Sequence, residues 1–232
     1  MAIQPCLREE ELGALRQLDT CAVEDAIETF DVRARNVGFT NATVRCMFED
    51  FPPMVGYAAT ARLRSGDRPM SGRSFQDRTV WWNSILQVPP PRIVVLEDID
   101  EPPGVGAFLG DTHAAMLMAL GCIGYVTDGA VRELPPMREM GFHVFAHNVA
   151  VSHAYARIID SGLAIQVGGM QVRPGDLLHG DRHGVVSIPK QIAPEIPRVA
   201  EELKERNRRV IAVCRSPGFS VEKLRQTIAG LE

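Results

Sequence analysis

Residues 104–134, GVGAFLGDTHAAMLMALGCIGYVTDGAVREL, constrain this chain more than any other stretch. Asp111 and Thr112 offer side-chain oxygens to the free N–H groups of a first helical turn. The Ala, Met and Leu residues that follow are good helix formers. Gly121 stands where a left-handed C-terminal cap is wanted. The pattern predicts a helix of about ten residues. Residues 122–126, CIGYV, form a short continuous apolar run that reads as a buried strand, and Thr127-Asp128-Gly129 ends it as a turn. Residues 130–140 read as a second short helix, with Pro135 and Pro136 in its first turn, where proline is tolerated. Residues 142–146 read as a further strand. A helix feeding a fully apolar strand points to an α/β architecture.

In an open α/β arrangement, strand ends and helix N-termini converge on a crevice. A helix N-terminus presents unpaired N–H groups and the positive end of a dipole, so it attracts anions. Gly110, Asp111, Thr112 and His113 can therefore hold a carboxylate against backbone N–H groups. Arg132 can grip the same anion bidentately. Glu133 offers oxygen ligands to a hard divalent cation. Together they suggest a site for a small oxo-acid with magnesium or manganese. Taken alone, the same residues also fit a plainer arrangement, with Asp111 a helix cap, Arg132 paired to a surface carboxylate and Glu133 solvated. Glu97, Asp98 and Asp100 form a second acidic grouping, ranked behind Glu133 because acidic strand ends are common on ordinary surfaces.

Composition narrows the chemistry. At 45% hydrophobic and 23% charged residues, the 232-residue chain has an ordinary globular balance. A net charge of −4 gives no general attraction to nucleic acid or anionic membrane. No apolar run is long enough to span a bilayer, and the polar, acidic N-terminus does not read as a signal peptide. The five scattered cysteines, with no CxxC, fit reduced thiols in the cytoplasm. The only lysines, Lys190, Lys204 and Lys223, lie outside the central stretch, which argues against Schiff-base chemistry. His147, His153, His179 and His183 make zinc a minor alternative, since there is no HExxH and His179 and His183 flank a turn. No GxSxG elbow, P-loop or GxGxxG appears.

Elsewhere, residues 7–18 read as an amphipathic helix, and Asp19-Thr20 as a cap for a helix over 22–28. Residues 44–48 and 57–63 have strand character. Residues 64–78 form a polar, Arg-rich loop, either solvated or an anion-attracting lid. A helix follows over 80–86 and a strand over 92–96. Short strands over 163–167, 170–172, 177–179 and 185–188, separated by Gly, Pro and Asp turns, make a meander. Residues 190–214 and 220–231 close the chain as amphipathic helices whose apolar stripes should cover a sheet or a partner. With no repeat and no Pro/Gly/Ser linker, the chain reads as one domain, residues 1–232.

The order GD…ALGCIGYVTDGAVREL…MGFHVFAHNVAVSHAY…QVGGMQVRPGDLLHGDRHGVVSIP resembles the RraA-like family over about residues 104–189, and more weakly over LDTCAVEDAI and VGYAATA. The resemblance implies a layered α/β/β sandwich of the swivelling, phosphohistidine-domain-like kind, with N- and C-terminal helices. It implies a homotrimer or hexamer with sites between subunits. It also implies a divalent-metal-dependent aldolase or decarboxylase that cleaves a 2-oxo acid, such as 4-hydroxy-4-methyl-2-oxoglutarate or oxaloacetate, through a pyruvate enolate. Family aldolases carry an Asp, twenty residues, then Arg-Asp, and Asp111 and Arg132 match that spacing. By resemblance, Arg132 binds the pyruvyl carboxylate and oxo group, and Asp111 orients metal-bound water and helps move protons. Gly110, Thr112 and His113 hold the substrate, and Glu133 meets Mg2+ or Mn2+. Glu133 departs from the family Asp by one methylene, and His113 replaces a more usual apolar residue. The interfacial glutamate typical of the aldolases maps onto no single residue here. The family also includes non-catalytic regulators that bind a ribonuclease. These lack the acid after the arginine, so Glu133 favours the catalyst.

Overall fold

The computed structural model describes residues 6–69 and 78–231. Its centre is an eight-stranded sheet built from β1 (Arg45–Cys46), β2 (Met54–Arg64), β3 (Arg92–Asp98), β5 (Cys122–Thr127), β7 (His143–Ala146), β9 (Arg157–Ser161), β12 (Leu177–Asp181) and β13 (Gly184–Ile188). The order is β1-β7-β5-β3-β2-β12-β13, with β9 also paired to β2. Strands β2, β3, β5 and β7 are parallel. The edge partners β1, β9, β12 and β13 are antiparallel. Two small sheets accompany it. One joins β4 (Ala107–Leu109), β6 (Ala130–Val131) and β8 (Asn148–Val149), and the other is the hairpin of β10 (Ile165–Val167) and β11 (Met170–Val172).

Side chains alternate across the pleat, and the central strands are apolar on both faces. Val55, Tyr57, Ala59, Ala61 and Leu63 of β2 share a core with Val94, Leu96, Tyr125 and Val144, and with Leu12, Leu15, Val23 and Ile27 from the helices. Those helices are α1 (Glu9–Leu15) and α2 (Thr20–Glu28). On the opposite face Met54, Ala58, Ile93, Val95, Val126 and Phe145 pack against Ile165, Val167, Met170 and Val172 of the hairpin. The result is helices, main sheet and hairpin in three layers, the expected α/β/β arrangement. A Cβ at Gly124 would lie 2.3 Å from the Met54 sulfur, so this strand admits no side chain at that point.

Buried His179 ties the N-terminal helices to β12. Its Nε2–H faces the carbonyls of Leu15 and Leu18, each at 3.1 Å, and its Nδ1 accepts from the Thr20 hydroxyl at 3.0 Å. Two carbonyls on one nitrogen fix the neutral Nε2–H tautomer, and burial lowers the pKa. Asp181 adds to the joint by accepting from the Thr20 and His183 backbone N–H groups.

Helix α3 (Thr79–Leu86) and helix α4 (Asp111–Ala119) lie close to expectation, with Gly121 at φ 75° closing α4. Residues 130–140 do not form one helix. Ala130 and Val131 are fully buried and pair in parallel with Ala107 and Leu109. Helix α5 (Leu134–Glu139) begins only after Glu133, which adopts a left-handed backbone at φ 57°. The strand expected over 44–48 is confined to β1, and β4, β8 and β9 were not anticipated. Residues 70–77 of the Arg-rich loop lie outside the described residues. At the C-terminus α6 (Ile196–Cys214) buries only Ile196, Val199 and Ala200, while α7 (Val221–Ala229) leaves Val221 and Ile228 exposed. No helix among the described residues is long and apolar enough to cross a membrane.

Candidate functional site

The small sheet is what assembles the site. Strand β4 runs into Gly110, which caps α4, while the parallel strand β6 runs into Arg132 and Glu133. The Arg132 N–H donates to Leu109 O at 3.0 Å, which locks the two strand ends together. The first turn of α4 thus faces Arg132 and Glu133, and the six residues expected to cooperate, Gly110 to His113 with Arg132 and Glu133, are brought to one place.

Glu133 is the hub. Its Oε1 pairs with Arg132 Nη2 at 2.8 Å, and its Oε2 accepts from the Asp111 backbone N–H at 3.2 Å. A carboxylate already occupies the helix N-terminus that was expected to hold a substrate carboxylate. The left-handed backbone of Glu133 aims this side chain back over Gly110, where a Cβ would lie 2.3 Å from Oε2. Non-glycine residues in that region are strained and persist only where surrounding structure holds them. Asp111 was expected as a cap, yet Gly110 holds that position and Asp111 is the first helical residue. The Asp111 Oδ1 instead accepts from the Thr112 N–H and, at 3.1 Å, from the Thr112 hydroxyl. Arg132 and Glu133 remain partly exposed, at 29% and 36% of their side-chain surface.

Next to this cluster opens a cavity of about 360 Å3 lined by Arg78, Phe108, Thr112, His113, Met116 and His153, with residues 154–156 at its rim. The His113 ring stacks on Phe108, with centroids 4.9 Å apart and planes 21° apart. Its Nε2 accepts from Arg78, whose guanidinium also lies 5.1 Å from the Phe108 ring centre. Burial first, then the Arg78 charge and His153, lowers the His113 pKa to about 4, so the imidazole is neutral at pH 7. His153 approaches edge-on at 6.4 Å, its Nδ1–H donating to Ala107 O at 2.6 Å.

Arg78, Phe108 and His153 were not picked out as site residues. The usable signal was Gly106, where a Cβ would sit 2.4 Å from His153 O. That glycine marks where the chain before β4 crosses residues 152–154. The histidines considered for zinc do not converge. His179 is consumed in the helix joint, His183 bonds Asp181, and His147 Nδ1 lies 3.1 Å from Thr43 O. The acidic strand end at 97–100 is also structurally engaged. Asp98 accepts from the Asp100 and Gly104 N–H groups, and Asp100 from Ser65 and Gly66. Among the described residues, no three His, Cys, Asp or Glu side chains stand close enough to hold an ion between them.

The fold is thus a layered α/β/β protein with an Arg–Glu pair at a helix N-terminus. Residues 20–187 match the RraA-like family, described as Aldolase/RraA, and the chain belongs to that family. It is 27% identical over 178 residues to a Halalkalibacterium halodurans protein named "Putative 4-hydroxy-4-methyl-2-oxoglutarate aldolase", covering 75% of this chain and 74% of that one. An uncharacterized Pseudomonas syringae protein superposes with a TM-score of 0.70 at 21% identity, covering 96% of this chain and all of that one. A Streptomyces coelicolor protein, described as an unusual member of the RNase ES inhibitor RraA family, superposes with a TM-score of 0.68 at 19% identity, covering 89% of this chain and 98% of that one.

Proposed function

We propose that this protein is a divalent-metal-dependent lyase that cleaves a 2-oxo acid through the enolate of pyruvate. The observation that carries the reading is the Arg132–Glu133 pair held against the α4 N-terminus by the Asp111 N–H. It sets a cation, a carboxylate and the positive end of a helix dipole within one small space. That is the equipment needed to hold an oxo-acid and to stabilise charge developing on its oxo oxygen.

The donor chemistry fits the implied metal. Glu133 and Asp111 offer carboxylate oxygens, and both are accessible to water. Magnesium commonly takes one or two protein carboxylates and keeps several waters, so a full protein cage is not required. Glu133, with Asp111 beside it, would hold the ion. When bound, it supplies Lewis-acid polarisation of the oxo group.

The chain's own residues supply the rest. The Arg132 guanidinium, offered as a planar fork, binds the pyruvyl carboxylate and oxo oxygen and neutralises the enolate as the carbon–carbon bond breaks. The Asp111 and Thr112 N–H groups are engaged by Glu133 and Asp111, so the His113 N–H at the same helix end orients the carboxylate. Thr112 engages Oδ1 of Asp111, which leaves Oδ2 to take and return a proton. The same reading carries a homotrimer or hexamer with sites between subunits, which light scattering would check.

The experiment is pyruvate release from oxaloacetate and from 4-hydroxy-4-methyl-2-oxoglutarate, with and without magnesium or manganese. Metal-dependent release is expected, and Arg132→Ala should lower kcat/KM by about a hundredfold or more without changing the oligomer. Undiminished turnover in Arg132→Ala refutes the assignment. No release from either acid with either metal would turn attention to protein partners, such as a ribonuclease.

A further inference from the structure

The enolate chemistry leaves the cavity beside α4 unused. Its volume of about 360 Å3 lies within the range of about 300–1,000 Å3 usual for small-molecule sites. It shares Thr112 and His113 with the first turn of α4, so a pyruvyl head held by that turn opens directly into it. Phe108 and Met116 give it an apolar wall. The charged group on that wall is a donor, Arg78. Arg78 is half-buried and donates to His113 Nε2. Tyr155 carries a hydroxyl, while the Thr112 hydroxyl already donates to Asp111 Oδ1 and His153, its Nδ1–H given to Ala107 O, presents Nε2 as an acceptor. No carboxylate is among the described residues that line the cavity. An apolar wall topped by a guanidinium suits a hydrocarbon stem that ends in an oxyanion, because the planar fork of arginine matches a carboxylate bidentately.

We propose that this cavity receives the tail of the 2-oxo acid, and that Arg78 and His113 select tails ending in a carboxylate. The inference rests on the lyase reading of Arg132 and Glu133. An arriving carboxylate takes the Arg78 N–H now given to His113. The imidazole, stacked on Phe108, stays as a flat wall beside the stem. His113 thus acts on the tail rather than at the bond being broken, and its departure from the family's apolar residue acquires a purpose.

The test compares two five-carbon acids that differ only at the far end, 2-oxoglutarate and 2-oxovalerate. Calorimetry on the whole protein with magnesium gives a dissociation constant for each. The expected result is 2-oxoglutarate binding at least about tenfold more tightly, with that ratio collapsing towards one in Arg78→Gln and shrinking in His113→Leu. The ratio is read within each variant, so a general loss of affinity does not mimic the effect, and thermal unfolding identifies any variant that fails to fold. Equal affinities in the unaltered protein, or a ratio that survives Arg78→Gln, overturn the subsite while the lyase reading stands, provided Arg132→Ala loses both acids. Absence of binding by either acid, and by oxalate as a minimal enolate mimic, overturns the lyase reading and the subsite together.

Discussion

Replacing Gly110 with alanine separates the geometry of the site from the stability of the fold. The Gly110 backbone, at φ −138° and ψ −172°, is extended, so alanine meets no backbone strain. Its methyl would, however, lie 2.3 Å from Glu133 Oε2, 3.3 Å from Glu133 Cδ and 3.4 Å from Arg132 Cγ. Ordinary contact begins near 3.4 Å, so the carboxylate must retreat by roughly an ångström. That retreat breaks the 3.2 Å bond from the Asp111 N–H and disturbs the 2.8 Å pair with Arg132. The stability cost is small. A partly exposed ion pair is worth about 0–1 kcal/mol, and the stiffer unfolded chain of alanine returns about 0.4–1 kcal/mol. The net change in urea unfolding should stay within about 1 kcal/mol. The functional cost is large, because misplacing a reacting group by an ångström can cost about a hundredfold in rate. Metal-dependent pyruvate release and urea denaturation, measured on one preparation, read both. Turnover within about threefold of the unaltered protein would refute the claim that the position of Glu133 governs the site. A stability loss above about 3 kcal/mol would instead mean that Glu133 is a structural buttress.

Three further outcomes follow from the same structure. Glu133→Asn should hold or raise the melting temperature while abolishing turnover, because asparagine tolerates the left-handed backbone better than glutamate, for which that region costs about 1–2 kcal/mol; a fall of several degrees would show that the Arg132 and Asp111 contacts outweigh the strain. His179→Leu should cost about 2–4 kcal/mol in urea unfolding, since the carbonyls of Leu15 and Leu18 and the Thr20 hydroxyl lose their partner inside the core, and a cost under about 1 kcal/mol would refute that role. Burial lowers the pKa of His143 to about 4, so between about pH 6.5 and 4 the unfolded chain binds a proton that the folded chain refuses, and stability falls as pH drops through that window. His143→Phe, which keeps a ring against Phe51, should remove up to about 3 kcal/mol of that slope; Asp128, raised to about 6 by burial, acts in the opposite direction but equally in both proteins, and identical slopes would refute the prediction.

What the sequence made legible was whatever local physics decides. Helix α4 was visible in its good formers and in Gly121, which the structure finds at φ 75°. Strands β3 and β5 were visible as apolar runs, because a strand covered on both faces shows no alternation. The three-layer arrangement was visible through the family resemblance, and the two separate cores flanking the sheet bear it out. The short strands β4, β6 and β8 were not legible. Two or three residues carry no period, and Ala130-Val131 read as the start of a helix because its strand partner, Ala107 to Leu109, lies more than twenty residues earlier.

That small sheet is also what turns scattered residues into a site. Asp111 and Arg132 are far apart in sequence and adjacent only because β4 and β6 run in parallel and end level. The family spacing between them is therefore a structural length, the helix, strand and turn needed to travel out along α4 and back along β5. Glu133 fits the same logic. Its side chain is one methylene longer than the family aspartate, and its left-handed backbone directs it back over Gly110, the one residue there without a side chain to block it. A longer acid, a turned backbone and a glycine opposite form one matched set. Altering any one of them should move the carboxylate away from Arg132 and the Asp111 N–H. The sequence displays all three residues, but their dependence on one another becomes visible only when the strands are paired.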